Sequence, residues 1–427
     1  MPSEELKIKL IDMVLCFSRA LDLLHPEISD HHLRVAYIAS CLAEELGLTP
    51  AEKQDVLIGG ALHDVGAISS PVMTSLFDHA LAHYRLGDAN SPDDLHKHGE
   101  EGYILTRDFP PFAQAASAIR FHHANWDFGR GKEFAGEPIP LASHILHLAD
   151  RIAVLPDANR NILEQAAEIR KTVGTDSGRQ FSPEIVAAFD EISTRESFWL
   201  DIACQHKEPI IRSRFGDWEI GLDLETLEQL GKVFGRIIDY RSPFTATHSS
   251  GVAATGEALA QRLGIPFTER KLLRVAGYLH DIGKLTVPIE IIEKPGKLTS
   301  EEMLIVKQHS YHTHRILSMV PGLETVNIWA SLHHERLDGK GYPFRPREIP
   351  LGSRIIAVAD VFTAITEDRP YRKGMDRVQA LNVLDQLVID RAIDGDIVDA
   401  LRADFGELLF IRSLSQQPTE NSAAEAA

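Results

Sequence analysis

Apolar residues recur along most of this chain at intervals of three or four rather than two. His248, Val252, Thr255, Leu259 and Leu263 fall on one such stripe, the spacing of a single buried helical face. The ALAQRLGI run that closes it offers Gly264 as a helix C-cap. LLRVAGYLHDIGK reads as an apolar helix running into His280 and Asp281 and meeting Gly283. KLTSEEMLIVKQHS opens with a Thr/Ser cap followed by acidic residues, which predicts a helix start and a helix ending on His309. PLGSRIIAVADVFTAI places Asp360 inside an apolar helical run. Few segments alternate with period two, so the expected fold is all-α.

The pattern occurs twice. A shift of 217 positions lays Phe17, Arg19, Asp22, His31, Val35, Leu42 and Gly47 on Phe234, Arg236, Asp239, His248, Val252, Leu259 and Gly264. The same shift carries His63, Asp64 and Gly66 onto His280, Asp281 and Gly283. With six residues fewer in the second copy, His98, His122 and His123 meet His309, His333 and His334, and one further residue brings Asp150 onto Asp360. A repeat of this length predicts two helical domains, 1–200 and 222–413, with a linker at 201–221. The polar tail 414–427 has a disordered composition.

Composition narrows the chemistry. Forty-four basic and 62 acidic side chains give a formal charge of −18, which argues against a broad footprint for polymeric nucleic acid. Residues 1–212 hold 19 basic and 32 acidic side chains, so −13 of that charge lies in the first copy and −5 in the remainder. A small anionic substrate is expected to approach the second copy more readily. Cys16, Cys41 and Cys204 form no CxxC pair, so neither a disulfide framework nor a thiolate zinc site is indicated, and a reducing cytoplasm fits. The N-terminus lacks the marks of a signal peptide and no apolar run reaches 18 residues, so neither export nor membrane insertion is expected.

The 20 histidines are the compositional excess, and ten of them belong to the repeated set. Each copy contributes His, His-Asp, His, His-His and Asp. Neutral imidazoles and carboxylates suit borderline transition ions such as Fe, Mn, Zn or Ni, and one Asp between two ligand sets can bridge a pair. A lone histidine is more often a surface or satisfied core residue. The repeated set reverses that balance. Two cations would polarise a phosphodiester, lower the pKa of a bridging water and stabilise both oxygens of an in-line displacement.

His248, the HDIGK run at 280–284, His309, the HHERLDGKGYP run at 333–343 and Asp360 within RIIAVADVFTAITEDRPYR together resemble an HD-GYP domain, a bacterial subgroup of the HD phosphohydrolase superfamily. The resemblance covers nearly all of the C-terminal half. It implies tandem HD-type helical bundles and hydrolysis of a cyclic dinucleotide, cyclic di-GMP or 3′,3′-cyclic GMP-AMP, to a linear 5′-phosphorylated product by a bridging hydroxide. It also implies two divalent ions, Fe or Mn, in the second copy. His248, His280, Asp281 and Asp360 would hold one, and Asp281, His309, His333 and His334 would surround the other. Family members with a Glu four residues before the first ligand assemble three metals; Phe244 stands there, so a dinuclear site is expected.

Lys284 is placed to offer a charge to a phosphate oxygen or to protonate the leaving 3′ oxygen, the alternative being an exposed solubilising lysine. Arg369 and Arg372 match positions that grip substrate phosphates, with a solvated basic pair as the alternative. Gly341, Tyr342 and Pro343 read as a turn that shapes the pocket or docks a signalling protein, or as a purely structural one. The first copy keeps His31, His63, Asp64, His98, His122, His123 and Asp150, so a further metal site is credible there. It has Ala67 in place of Lys284, and Asn159 and Ile162 in place of the two arginines. Arg130, Lys132 or Arg160 are the candidate substitutes, and a regulatory or substrate-shaping role is expected. The competing readings are a receptor or scaffold that binds without turnover, and a general HD nucleotide phosphohydrolase.

Overall fold

In the computed structural model the described residues are 8–24, 30–68, 92–134, 136–216, 220–242, 247–368 and 372–417. The chain divides into two compact units, Lys9–Ile220 and Gly221–Ala427 together with Met1–Ile8. Both are helical. The one sheet among the described residues is a pair of two-residue strands, Glu133–Phe134 and Glu137–Pro138.

The first unit contains α1 (Leu10–Asp22), α2 (His31–Glu45), α3 (Pro50–Leu62), α4 (Pro92–Thr106), α5 (Ala113–Arg120), α6 (Leu141–Val154), α7 (Ile162–Thr175), α8 (Pro183–Ile192), α9 (Glu196–Ala203) and α10 (Glu208–Phe215). The second contains α11 (Leu224–Tyr240), α12 (His248–Arg262), α13 (Phe267–Leu279), the single turn α14 (Ile289–Ile292), α15 (Ser300–Leu317), α16 (Glu324–Ser331), α17 (Leu351–Thr366), α18 (Arg377–Ile389), α19 (Gly395–Ala403) and α20 (Phe405–Ser415). The repeat reappears in the helix ends. Helices α2 and α3 start and stop 217 positions before α12 and α13, and α5 lies 211 positions before α16.

In each unit a central helix carries the first candidate ligand histidine. Helix α12 packs against α13, α17 and α20, and α2 against α3 and α6. Val252 and Leu259 on α12, like Val35 and Leu42 on α2, are fully buried, and each such side chain contributes about 1.5–3 kcal/mol. Gly60 and Gly277 let these helix pairs close up, since a methyl on either would lie within 2.8 Å of the Ala36 or 2.6 Å of the Ala253 Cα. The expected caps form. Gly264 has φ +74° and its counterpart Gly47 +68°, while Thr299 and Glu302 make a reciprocal capping box at the start of α15.

Three expectations change. Within the expected linker 201–221, residues 201–216 pack as part of the first unit: Ile202 and Ile211 are buried, and α10 packs on α2. The C-terminal helix runs to Ser415, past the expected boundary at 413, with Phe405 and Leu408 buried and the Ser415 hydroxyl donating to the Ser250 carbonyl at 3.2 Å. Residues 418–427 of the tail lie outside the described residues. Helix α15 continues two turns beyond His309, which stands mid-helix with its ring inward.

Candidate metal centres

In the second unit His248 is the first residue of α12, and His280 and Asp281 follow the last residue of α13. His309 comes from α15, His333 and His334 follow α16, and Asp360 comes from α17. His280, His309, His333 and Asp281 are 2% exposed or less, and His248 is 3% exposed. His248 Nε2 lies 3.1 Å from Asp360 Oδ1, and His280 Nε2 3.2 Å from Asp281 Oδ2. The other oxygen of Asp281 is 3.5 Å from His309 Nε2 and 3.9 Å from His333 Nε2. Asp281 therefore faces both ligand sets. Gly283 makes this possible: a side chain there would collide with the His309 carbonyl and come within 2.7 Å of the Thr313 nitrogen.

The imidazoles are oriented by the backbone. Nδ1 of His280, His309 and His333 donates to the carbonyls of Gly277, Val306 and Ala330 at 2.8, 2.6 and 2.6 Å. A carbonyl can only accept, so the proton is on Nδ1 and the Nε2 lone pair faces the centre. Burial, with His334 adding to it, lowers the pKa of His309 to about 3, and burial lowers that of His334 to about 4, so both imidazoles are neutral at neutral pH. Burial also disfavours charge on Asp281, but His280 and Lys284 outweigh it and hold the carboxylate well below its usual range. His280 Nε2 and Asp281 Oδ1 are buried without a hydrogen-bond partner. Ligand atoms of His248, His280 and Asp281, and of His309, His333 and His334, lie within 4.8 Å of one another. This donor set fits divalent transition ions.

A cavity of about 350 Å³ opens on the centre, lined by His248, Asp281, Asp360 and Lys284 with Lys294 and an apolar wall that includes Ile291 and Ile292. Lys284 pairs with Asp281 Oδ2. The turn presenting it is held by Arg241, whose two terminal nitrogens donate to the Lys284 and Val287 carbonyls at 2.7 and 2.6 Å. Arg372 donates to the carbonyl of the cavity residue Ala364 at 2.6 Å, leaving its Nε buried and without a hydrogen bond. Arg369 and Phe244 lie outside the described residues. Tyr342 packs on His334, ring centres 5.0 Å apart.

Two contributors here were not read from the sequence. Glu335 is buried, and its carboxylate accepts the Phe344 and Arg345 amides at 2.7 and 2.9 Å, which curls the glycine-rich turn around it. Asp239 is buried and accepts from the Ser249 amide and hydroxyl, both at 2.8 Å, fixing the first turn of α12. The only signal for Asp239 was its recurrence, as Asp22, in the repeat; for Glu335 it was its position inside HHERLDGKGYP.

The first unit assembles the same constellation. His31 Nε2 lies 3.3 Å from Asp150 Oδ1, His63 Nε2 3.1 Å from Asp64 Oδ2, and His98 and His122 Nε2 3.3 and 3.5 Å from Asp64 Oδ1. His123 Nε2 is 2.9 Å from His98 Nε2. Nδ1 of His63 and His122 donates to the Gly60 and Ile119 carbonyls at 2.9 and 2.6 Å. Ligand atoms of Asp64, His98, His122 and His123 form one compact group, and those of His31, His63 and Asp64 another. The proposed substitute cations are engaged elsewhere: Arg130 with Asp127, Arg160 with Glu168, and Lys132 over the Trp126 ring. The cation beside this centre is Arg151, 3.9 Å from Asp150.

The HD domain family matches twice, at residues 28–155 and 232–397. The chain is 32% identical to 3′3′-cGAMP-specific phosphodiesterase 1 of Vibrio cholerae over 97% of its own length and 96% of that protein. It is 30% identical to 3′3′-cGAMP-specific phosphodiesterase 3 of the same organism over 92% and 94%. A cyclic di-GMP phosphodiesterase of Pseudomonas aeruginosa is 43% identical over 32% of this chain and 34% of its own. The crystal structure of a cyclic GMP-AMP specific phosphodiesterase of V. cholerae superposes with a TM-score of 0.62 at 27% identity, covering 93% of this chain and 98% of that one. Two ligand sets on two copies of one helical bundle, and relatives that match along both, lead to the same assignment: the chain is a tandem HD-domain protein of the cyclic dinucleotide phosphodiesterase family.

Proposed function

We propose that the second unit hydrolyses 3′3′-cyclic GMP-AMP in preference to cyclic di-GMP, releasing a linear 5′-phosphorylated dinucleotide. The observation that carries the catalytic assignment is that Lys284 and the ligands His248, Asp281 and Asp360 line one cavity. The substrate preference rests on relatives: two phosphodiesterases specific for 3′3′-cGAMP match along both units, a third matches 44% of the chain, and the cyclic di-GMP enzyme from P. aeruginosa matches about a third of it.

His248, His280, Asp281 and Asp360 would hold one divalent ion, Fe or Mn, and Asp281, His309, His333 and His334 a second. Such a pair supplies Lewis-acid charge to the scissile phosphodiester and lowers the pKa of water. The chain's own groups do the rest. Lys284, protonated beside Asp281, binds a non-bridging phosphate oxygen and delivers a proton to the 3′ oxygen as the P–O3′ bond breaks. Arg372, and Arg369 beside it in the sequence, grip the second phosphate. Ile291 and Ile292 give a base an apolar wall and exclude bulk water.

Incubation of the Mn(II)- or Fe(II)-loaded chain with each cyclic dinucleotide, followed by chromatography, tests this. Faster consumption of 3′3′-cGAMP with a 5′-phosphorylated linear product is the expected result, and no turnover of either nucleotide overturns it. Lys284→Ala should lower kcat roughly 100-fold with the metal content unchanged; metal loss in proportion would make Lys284 structural instead.

For the first unit we propose a metal-holding, regulatory or substrate-shaping role. Its ligand set is complete, but Ala67 and Leu24 stand where the second unit has Lys284 and Arg241. Elemental analysis should find four ions per chain, falling to two in a His63→Ala, Asp64→Ala variant. Two ions in the parent chain would leave the first centre unfilled and defeat its metal-holding role.

A further inference from the structure

Four of the five backbone-oriented imidazoles stand at the ends of helices and one stands within a helix, so each has a carbonyl three residues earlier to receive its Nδ1 proton. The Nδ1 of His248 has a side-chain partner. This histidine is the first residue of α12, preceded by Thr247 with φ −140°. Its Nδ1 faces the buried carboxylate of Glu367, with both oxygens at 3.3 Å. Glu367 follows the last residue of α17, seven positions beyond Asp360.

Glu367 is itself held from the far end of the chain. Gln416, just past α20, donates through Nε2 to Glu367 Oε2 and to the Thr247 carbonyl, both at 3.2 Å. Its Oε1 accepts from the buried Arg412 at 2.9 Å. Gly251 makes room for this side chain, since a methyl there would come within 3.0 Å of Gln416 Nε2. The first unit is built differently at the aligned positions. Arg34 replaces Gly251 and reaches the Ala153 carbonyl at 2.7 Å, and Asp157 replaces Glu367, exposed and bonded to the Asn159 amide at 2.9 Å.

We infer that Glu367, steadied by Gln416 from the C-terminal helix, is a positioning residue that fixes the tautomer and direction of His248 for one of the two ions of the second unit. A carboxylate on the outer nitrogen keeps the proton on Nδ1 and makes Nε2 a stronger donor. The inference rests on the reading of the second unit as a metal centre. It assigns to the last helix a share in metal affinity, which the ligand motif does not contain.

Calorimetric titration of metal-free full-length protein with Mn(II), together with the visible spectrum of the Co(II)-loaded protein, tests it. These are carried out in a background with the first centre removed by His63→Ala and Asp64→Ala. Glu367→Ala should weaken one of the two sites by about 10- to 100-fold, leave the other unchanged and alter the Co(II) spectrum, with helical circular dichroism preserved. Glu367→Gln keeps an acceptor for the Nδ1 proton and should recover part of the loss; it also carries the test if the alanine variant does not fold. Gln416→Ala should weaken the same site by a smaller factor. Isotherms for both Glu367 variants that superpose on the parent overturn the inference, as does equal weakening of both sites. A background protein that takes up no ion at all overturns the metal-centre reading instead.

Discussion

Asp281→Asn should abolish turnover and empty both ion positions of the second unit, with kcat falling well beyond the ~100-fold that outer-shell changes cost. The size follows from its position. One oxygen lies 3.2 Å from His280 Nε2 and pairs with Lys284, and the other lies 3.5 Å from His309 Nε2. An amide removes the negative charge that would bind the ions and that pairs with Lys284, and its N–H would donate to the Nε2 lone pairs otherwise free for coordination. Asp64→Asn is the matched control. It alters the equivalent residue of the first unit, 3.1 Å from His63 Nε2 and 3.3 Å from His98 Nε2, and should cost two ions while leaving hydrolysis measurable. Metal analysis and single-turnover kinetics on both variants separate the outcomes. Asp281→Asn with parental activity would defeat the catalytic assignment, and Asp64→Asn with none would make the first unit catalytic.

Gly283→Ala should destabilise the second unit by about 3 kcal/mol or more, at the upper end of overpacking costs, and lower its melting temperature by about 6–12 °C. The added methyl would run into the His309 carbonyl and approach the Thr313 nitrogen to 2.7 Å. Both are backbone atoms of α15, so no side-chain rotation relieves the clash. Displacing α15 also carries His309 away from Asp281, so activity should fall with stability. Gly66→Ala, where the methyl would meet the His98 carbonyl and lie 2.5 Å from the Gly102 nitrogen, should do the same to the first unit. Calorimetric unfolding with two resolved transitions would show each substitution moving a different one. A second-unit transition unchanged in Gly283→Ala would mean that α15 can slide without cost.

Both ligand sets were legible in the sequence because their spacing is fixed by helices of constant length. An offset of 217 places α12 and α13 on α2 and α3 at both ends, and a helix cannot gain a residue without rotating everything after it by about 100°. Glu367 was not legible, because the residue it serves is 119 positions away and nothing local marks a carboxylate near RPYR as a partner for His248. Surface cations were misplaced for a related reason. Arg160 falls one residue from the position aligned with Arg369, yet Glu168 on α7 claims it, and Arg130 is claimed by Asp127 three residues earlier. The stretch 201–221 reads as a linker in the sequence because it falls between the two copies of the repeat. Its buried Ile202 and Ile211 lie nine residues apart, too sparse to mark a face by periodicity.

The bonds from His63, His122, His280 and His333 to carbonyls three residues back have a consequence for mutagenesis. The last carbonyls of a helix have no partner within it, and in α3, α5, α13 and α16 an imidazole supplies one. Each of these residues is thus a helix cap as well as a candidate ligand. Replacing one by alanine removes a cap bond along with a candidate ligand, so a loss of activity by itself does not isolate coordination. Asp281 and Asp360 carry no such second duty toward a helix carbonyl, since carboxylates only accept. They are the cleaner positions at which to ask what the metal does.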